Sequence, residues 1–261
     1  DIGTLPTLVK PLLGKSEPAA IVKIENEDEA VRLINFANKF NIPVVPRAGA
    51  SSGYGGVIPT KGGIVADVTT MNHVLDVDHE NLKATVEAGI RWEIVEKKLN
   101  HQGLSVQALP TSAPSSTVGG WLAQNGIGFG SFEYGWSQNT MDSARVILPT
   151  GEVKEFSGDE MKNLTGTMGT TGIISQVTLK LRPYEQTKGI SAEFEDAESL
   201  KKAIQSADEQ NIPLWSITFL NPNWVDMKNQ SPEKHHHGRS DEISHPELPV
   251  AYICNFLYPE S

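Results

Sequence analysis

Two runs of small residues constrain this chain more than any other feature. The first covers residues 46–56 (PRAGASSGYGG), and the second covers residues 110–120 (PTSAPSSTVGG). Gly, Ala, Ser and Thr leave backbone N–H groups uncovered, and Gly also permits positive φ, so such a run can close around an anion. One run alone is equally well explained as a surface turn. Two together predict a cradle for a pyrophosphate group.

The familiar nucleotide-binding motifs do not account for these runs. The dinucleotide fingerprint GxGxxG fails in its spacing at Gly53-Tyr54-Gly55 and at Gly126-Ile127-Gly128. Gly14-Lys15-Ser16 matches the end of a P-loop, but Val9 stands where that motif begins with glycine. The sequence therefore favours neither a Rossmann nor a P-loop interpretation.

Charge and cysteine usage narrow the classes of partner and compartment. The 261 residues carry a formal net charge of -10, which argues against binding nucleic acid or an anionic membrane surface. No apolar run has membrane-spanning length, so no transmembrane segment is expected. Cys254 is the only cysteine, which excludes an internal disulfide and indicates a reducing compartment. We therefore expect a cytoplasmic protein.

Hydrophobic periodicity predicts strands and helices through residue 183. Asn26 should cap a helix, with Glu29 three residues later as in a capping box, and Asn41-Ile42-Pro43 should end it. A second helix is expected over residues 91–102. The expected strands are 21–24, 44–45, several between 64 and 88, a hairpin of 146–148 with 153–156, and 173–181. This is an α+β pattern with a mixed sheet rather than regular βαβ winding.

The pattern starts again after Pro183, which indicates a second domain. The expected elements are a strand at 190–194, a helix at 196–210, and strands at 214–220 and 250–257. Residues 221–248 are rich in Asn, Pro, Ser and His and are expected to form a surface excursion. We place the boundary near residue 185, with a first domain over residues 1–185 and an incomplete second domain over residues 186–261.

Three segments follow one another in a recognisable order. They are residues 42–52, residues 116–121 and residues 168–174 (MGTTGII), with Asn125-Gly126 and Tyr134-Gly135 after the second. This order resembles the FAD-binding domain of the vanillyl-alcohol oxidase or PCMH-type family. The similarity points to the branch of D-2-hydroxyacid dehydrogenases, the glycolate oxidase D-subunit and alkyl-dihydroxyacetone-phosphate synthase. It implies a two-subdomain PCMH-type FAD-binding fold, followed by a partial α+β cap domain.

The resemblance also implies which residues bind FAD. Residues 46–52 would hold the diphosphate, residues 111–117 and 124–127 would line the flavin and the ribityl chain, and residues 172–174 would contact the cofactor by their backbone. The predicted cofactor-binding residues are Pro46, Arg47, Ala48, Gly49, Ala50, Ser51, Ser52, Pro110, Thr111, Ser112, Ser115, Ser116, Thr117, Gly119, Gly120, Gln124, Asn125, Gly126, Gly172, Ile173 and Ile174.

Two departures from the family pattern bear on the cofactor. Members that attach FAD covalently carry a His where this chain has Ser51, and some add a Cys in the second segment. Neither is present, so the resemblance implies non-covalent FAD. Met168 stands where the family usually has Glu, which removes one polar contact.

The activity implied is that of an FAD-linked oxidase or dehydrogenase. It would oxidise a small 2-hydroxy acid such as D-lactate or glycolate by hydride transfer to flavin N5. In that family the base comes largely from the cap and the C-terminal part, and the His-containing metal motif has no match here, so we predict neither a catalytic residue nor a metal site. Two alternatives are an FAD-carrying electron-transfer subunit, like the medium subunits of molybdenum hydroxylases, and a flavin-binding fragment without turnover. A partner redox subunit or a homo-oligomer is expected.

Several residues have two interpretations. Arg47 could pair with the diphosphate or with a surface carboxylate, and the carboxylate is slightly favoured. Tyr134 and Trp136 could stack near the flavin, but packing in the core or at its rim is favoured. His235-His236-His237 with His245 could bind a metal, but three adjacent His side chains cannot all face one ion, so a solvated loop is favoured.

Overall fold

The chain forms two compact units, Asp1–Tyr184 and Glu185–Ser261. The computed structural model describes residues 17–230 and 248–260. None of the helices in these ranges combines the length and the apolar character needed to cross a bilayer. The His235-His236-His237 and His245 group and the Gly14-Lys15-Ser16 motif both lie outside the described residues.

A small parallel sheet opens the first unit. Its strands are β1 (Ala20–Lys23), β2 (Val44–Arg47) and β3 (Ile64–Asp67), in the order β1-β3-β2. The central strand β3 is buried along its whole length. Helix α1 (Glu27–Phe40) connects β1 to β2, as parallel strands require a long crossover rather than a tight turn.

Local signals at both ends of α1 work as predicted. The Asn26 side chain accepts the N–H of Glu29 at 3.0 Å, and the Glu29 carboxylate accepts the N–H of Glu25 at 2.9 Å. Asn41 ends the helix in the left-handed conformation, with φ 52°, which Asn adopts more readily than most residues. The predicted start and end of this helix are therefore confirmed.

A larger antiparallel sheet completes the first unit. Its strands are β4 (Val74–Asp78), β5 (Lys83–Glu87), β7 (Met141–Ile147), β8 (Val153–Ser157) and β9 (Ile173–Pro183), in the order β4-β5-β9-β7-β8, and β6 (Leu104–Val106) pairs with β9. The predicted α+β pattern is present, but the predicted mixed sheet is not observed in the described part of the first unit, because parallel and antiparallel pairing are separated into two sheets. Periodicity marks strands but not the sheet to which each belongs.

Two apolar clusters hold the first unit together. In the first, helices α2 (Trp92–Asn100) and α3 (Val118–Gln124) pack on the antiparallel sheet, and the Trp92 and Trp121 rings meet edge to face at 5.0 Å. The second cluster joins the two sheets, since Ile24 and Ala66 of the parallel side pack with Ile147 and Ile173 of the antiparallel side. A short helix, α4 (Ser131–Tyr134), follows α3.

The second unit is built on three antiparallel strands. Its elements are β10 (Thr187–Phe194), α5 (Ala197–Glu209), β11 (Ser216–Leu220), α6 (Pro222–Asn229) and β12 (Tyr252–Pro259), with β12 between β10 and β11. The sequence predicted the strands and α5, but it assigned residues 221–248 to a surface excursion. Residues 222–229 are helical instead, because Asn221 caps the helix and Pro222 stands at its first turn, where proline is tolerated.

Candidate functional site

A cavity of about 350 Å3 lies within the first unit, where the segment after β2 faces the start of β9 and helix α3. Its volume is in the range of small-molecule sites in proteins. The described residues lining it are Pro46, Arg47, Ala48, Gly49, Ala50, Ser51, Ser52, Gly53, Tyr54, Gly56, Val57, Val68, Ala88, Ser112, Ser116, Thr117, Gly119, Gly120, Trp121, Ala123, Gln124, Met168, Gly169, Gly172, Ile173 and Ile174.

The structure brings all three predicted segments to this cavity. The whole of the first predicted segment, residues 46–52, lines it. The predicted residues of the later segments that line it are Ser112, Ser116, Thr117, Gly119, Gly120, Gln124, Gly172, Ile173 and Ile174. Segments far apart in sequence therefore form one concave surface.

Five predicted residues do not line this cavity, namely Pro110, Thr111, Ser115, Asn125 and Gly126. Three of them have a structural role close to the cavity lining. The Pro110 carbonyl accepts the N–H of Ala113 at 3.0 Å. Asn125 ends α3 in the left-handed conformation, and its Oδ1 accepts the hydroxyl of Ser137 at 3.1 Å. A Cβ at Gly126 would overlap the indole of Trp121, so Gly is required there for packing.

The cavity also includes residues outside the set predicted to bind the cofactor. Val68 follows the buried strand β3 and Ala88 follows β5, so neither carries a sequence signal that separates it from the core. Met168 lines the cavity with φ 53°, an unusual conformation for an unbranched apolar residue, and donates its N–H to the Ala123 carbonyl at 3.0 Å. The remaining additions are Gly53, Tyr54, Gly56, Val57, Trp121, Ala123 and Gly169.

The loop after β2 presents uncommitted hydrogen-bond donors. Ala50 has φ 51°, and such a left-handed residue turns successive N–H groups toward one side of the chain. Within the described part of the chain, the N–H groups of Ala50, Ser51 and Ser52 donate to no protein acceptor. Gly49 donates to Thr117 Oγ1 at 3.4 Å, which ties this loop to the second segment. The arrangement suits an anionic ligand.

Arg47 is the only charged residue among the described residues that line the cavity, and it is already paired. Its guanidinium lies 2.7 Å from the buried carboxylate of Asp67. Burial raises the pKa of Asp67, but hydrogen bonds from Thr69 and the charge and hydrogen bond of Arg47 outweigh burial and hold this pKa below its usual value. Arg47 thus contacts a carboxylate, although a buried one rather than the surface carboxylate that the sequence favoured.

The Asp67 ion pair makes a prediction about acid stability. Because the folded-state pKa of Asp67 lies below its unfolded value of 3.8, its stabilisation is complete above that pH and is lost as the pH falls through the folded pKa. We expect Asp67→Asn to lower the free energy of unfolding by about 2 kcal/mol at pH 6, since it leaves Arg47 without its partner charge. Urea unfolding at pH 6 and at pH 3 should show this difference shrinking at pH 3. Glu160→Gln, in the exposed pair with Lys154, is the control and should change little at either pH.

Ser116 supplies the clearest sign that the cavity is built for a polar ligand. The residue is 5% exposed, lines the cavity, and its hydroxyl has no hydrogen-bond partner among the described residues. Its backbone is fixed, because the Ser116 carbonyl accepts the N–H of Trp92 at 3.2 Å. A buried hydroxyl without a partner is costly, so a ligand atom that accepts from or donates to it is expected. Together with the free N–H groups, it fits a diphosphate-bearing cofactor such as FAD.

Several other aromatic and titratable side chains do not line the cavity. Neither Tyr134 nor Trp136 lines the cavity, and Trp136 is 52% exposed. His73 contacts Glu87 at 2.7 Å on the surface of the antiparallel sheet. Across residues 17–230 and 248–260, no three His, Cys, Asp or Glu side chains gather as a metal site would require. The described residues that line the cavity include no His, Cys, Asp or Glu.

Comparison with known proteins assigns this site to a family. A sequence profile described as "FAD binding domain" matches residues 18–157, more than half of the chain. A solved structure of alkyldihydroxyacetonephosphate synthase superimposes with a TM-score of 0.75 at 25% identity, over 92% of this chain and 46% of that chain. This likeness confirms the α+β fold of the PCMH type that the three motifs predicted.

Characterised relatives belong to the predicted branch. Glycolate oxidase subunit GlcD of Bacillus subtilis is 29% identical over 216 residues, covering 79% of this chain and 46% of that protein. Alkyldihydroxyacetonephosphate synthase of Dictyostelium discoideum is 32% identical over 195 residues, covering 70% and 32%. D-lactate dehydrogenase of Anaerostipes hadrus is 31% identical over 181 residues, covering 66% and 38%. The chain therefore spans less than half of the length of these three relatives.

Proposed function

Because this chain belongs to the FAD binding domain family, we propose that it serves in the FAD-dependent oxidation of a small 2-hydroxy acid such as D-lactate or glycolate. FAD is the cofactor of this family, and when bound it supplies the acceptor for the two electrons that leave the substrate. The hydroxy acid is proposed from the relatives, among which are a glycolate oxidase subunit and D-lactate dehydrogenases.

The unsatisfied donors of the cavity are the observation that carries this proposal. The N–H groups of residues 50–52 would hold the diphosphate, and the Ser116 hydroxyl would bind a polar atom of the cofactor. Ile173 and Ile174 add an apolar wall that excludes water from the bound cofactor. Since Arg47 is neutralised by Asp67, the diphosphate would be bound by backbone dipoles rather than by a free positive charge.

We also propose that FAD binds without a covalent link. The described lining contains neither His nor Cys, and Ser51 occupies the place of the His to which covalent members attach the cofactor. Acid precipitation of the yellow protein should therefore release all of the flavin into the supernatant. Flavin that stays with the precipitated chain would contradict this part of the proposal.

Replacing Ser116 should stabilise the FAD-free protein and weaken FAD binding. Ser116→Ala removes a buried hydroxyl without a partner, so the FAD-free protein should gain about 1 kcal/mol in its free energy of unfolding. The same change removes one hydrogen bond to the cofactor, so the Kd for FAD should rise about tenfold. Urea unfolding of the FAD-free protein and a fluorescence titration with FAD measure the two effects. Loss of both stability and affinity would show that the hydroxyl has a structural partner instead.

The substrate is tested by anaerobic reduction of the loaded protein. If the proposal is correct, D-lactate or glycolate should bleach the flavin absorption band at about 450 nm, and L-lactate should bleach it much more slowly. Bleaching that appears only after a redox partner is added would favour the second candidate, an FAD-carrying electron-transfer subunit. FAD uptake without bleaching under either condition would favour a flavin-binding fragment without turnover. A chain that takes up no FAD would contradict all three.

The remaining expectations stay part of this proposal. The unit Glu185–Ser261 is proposed as part of a cap or substrate domain, and the redox partner as another subunit or a second copy. A cytoplasmic location is proposed from the use of a single cysteine, Cys254, whose side chain is free and buried. Burial raises the pKa of the Cys254 thiol to about 11, which makes it a poor nucleophile at neutral pH.

A further inference from the structure

An ionic contact connects helix α1 to the antiparallel sheet of the first unit. Glu27, the first residue of α1, accepts two hydrogen bonds from Arg145 of β7, from Nη2 at 2.6 Å and from Nε at 3.1 Å. Such two-point contacts fix geometry as well as charge. None of the other ion pairs described in the first unit joins α1 to the antiparallel sheet.

Ser175 brings this contact into the antiparallel sheet. Its hydroxyl lies 2.8 Å from Glu27 Oε2 and 3.1 Å from the Arg145 carbonyl, and the residue is fully buried. In the pairing of β7 with β9, Arg145 is opposite Gln176 and Val146 is opposite Ile174, so Ser175 is the extra residue of a β-bulge. A bulge redirects the strand beside it and needs contacts that hold the unpaired residue.

The bulge is connected to the wall of the FAD cavity by backbone hydrogen bonds. The Ser175 carbonyl accepts the N–H of Ala88 at 2.8 Å, and the Ala88 carbonyl accepts the N–H of Gly119 at 2.8 Å. Ala88, Gly119 and Ile174 all line the cavity. This wall is tightly packed, because a Cβ at Gly119 would lie 2.6 Å from Ala88 Cβ. Ser175 is therefore linked to the cavity wall through Ala88 and Gly119.

We propose that Glu27 is a positioning residue for the FAD cavity. Together with Arg145 and Ser175, it holds the β9 bulge in place. The bulge in turn keeps Ala88, Gly119 and Ile174 in the wall against which the cofactor binds. The inference rests on the proposed use of this cavity for FAD. The hydrogen bonds from Arg145 lower the pKa of Glu27, and burial raises it. Because the hydrogen bond from Ser175 also lowers it, the pKa stays below its usual value and the carboxylate is charged at neutral pH.

The test is Glu27→Gln in the whole chain, with Asp28→Asn as the matched control. Both changes remove one negative charge from the first turn of α1, but Asp28 is exposed, and the hydrogen bonds described for the Ser175 hydroxyl involve Glu27 and Arg145 and not Asp28. FAD titration well below the melting temperature should give a Kd about tenfold higher for Glu27→Gln and within about twofold of the parent for Asp28→Asn. The visible circular dichroism of bound flavin should change only in Glu27→Gln.

Ser175→Ala provides an independent variant, because it removes only the hydroxyl between Glu27 and the bulge. We expect it to weaken FAD binding in the same direction, and the double variant with Glu27→Gln should be no weaker than the more affected single variant. If Glu27→Gln fails to fold, the Kd of Ser175→Ala alone decides the question, and a value equal to that of the parent would overturn the proposal. Additive effects of the two substitutions would overturn the proposal.

A lower melting temperature of Glu27→Gln with an unchanged Kd for FAD and unchanged flavin circular dichroism would also overturn the proposal, since Glu27 would then only stabilise the fold.

The proposed hydroxy-acid oxidation is tested by a different result from the one that tests the role of Glu27. If the parent chain binds FAD but no hydroxy acid reduces it, the reaction is wrong, while the effect of Glu27 on FAD affinity is still measured.

Discussion

Gly49→Ala is expected to weaken FAD binding about a hundredfold. A Cβ at Gly49 would lie 2.6 Å from the Ser115 carbonyl oxygen and 3.3 Å from the Thr117 amide nitrogen, so it would meet the backbone of the second small-residue run. The two runs must then move apart, and overpacking of this kind costs about 1–3 kcal/mol. About 2.7 kcal/mol corresponds to the hundredfold change. Fluorescence titration of the FAD-free protein with FAD measures it.

Gly56→Ala is the matched control for Gly49→Ala. Gly56 belongs to the same run, is exposed, lines the same cavity, and an added Cβ there would meet no atom within 4 Å. Its Kd for FAD should lie within about threefold of the parent value. If Gly49→Ala binds FAD as tightly as Gly56→Ala, the approach of the two runs does not determine cofactor affinity.

Gly89→Ala is expected to have the largest effect on folding, lowering the free energy of unfolding by about 3 kcal/mol. Gly89 is buried between the sheets, and its N–H donates to the Met71 carbonyl at 2.9 Å. A Cβ there would overlap the Val68 carbonyl oxygen and lie 2.7 Å from that of Met71. Both obstacles are backbone, so no side chain can rotate away to relieve the overlap.

Urea unfolding of the FAD-free protein tests Gly89→Ala, with Gly56→Ala again as the control because both changes add the same methyl group. The control should unfold at the urea concentration of the parent. If Gly89→Ala unfolds at the same urea concentration as the control, the segments at Val68 and Gly89 can separate without cost. The close contact of the two sheets would then contribute little to stability.

Local chemistry explains which parts of the fold could be predicted from the sequence. The ends of α1 depend on Asn26 and Asn41 alone, so they could be located without knowledge of the fold. Helix α3 could not, because Gly119 and Gly120 are poor helix formers inside a run of small residues. The helix forms because Trp121 and Leu122 are buried in the core, which is a tertiary effect.

The same distinction applies to the site. Residues 46–52 could be predicted because free N–H groups and small side chains are local properties of the run. Composition does not tell which side of a run faces a ligand, so Pro110 and Ser115 were predicted together with Ser112 and Ser116, which do line the cavity. Val68 and Ala88 line it only because two strands end side by side, and no residue near them in sequence signals that.

The distribution of the cavity over the chain has a consequence for biosynthesis. The loop at residues 46–52, which is proposed to hold the diphosphate, is made early, but residues 173–174 of the cavity lining belong to β9, the central strand of the antiparallel sheet. A nascent chain that ends before residue 174 has no closed pocket, so the cofactor can be captured only after β9 has left the ribosome and paired. From then on, each bound FAD opposes unfolding of the first unit by mass action, and cells short of flavin should accumulate less of the protein.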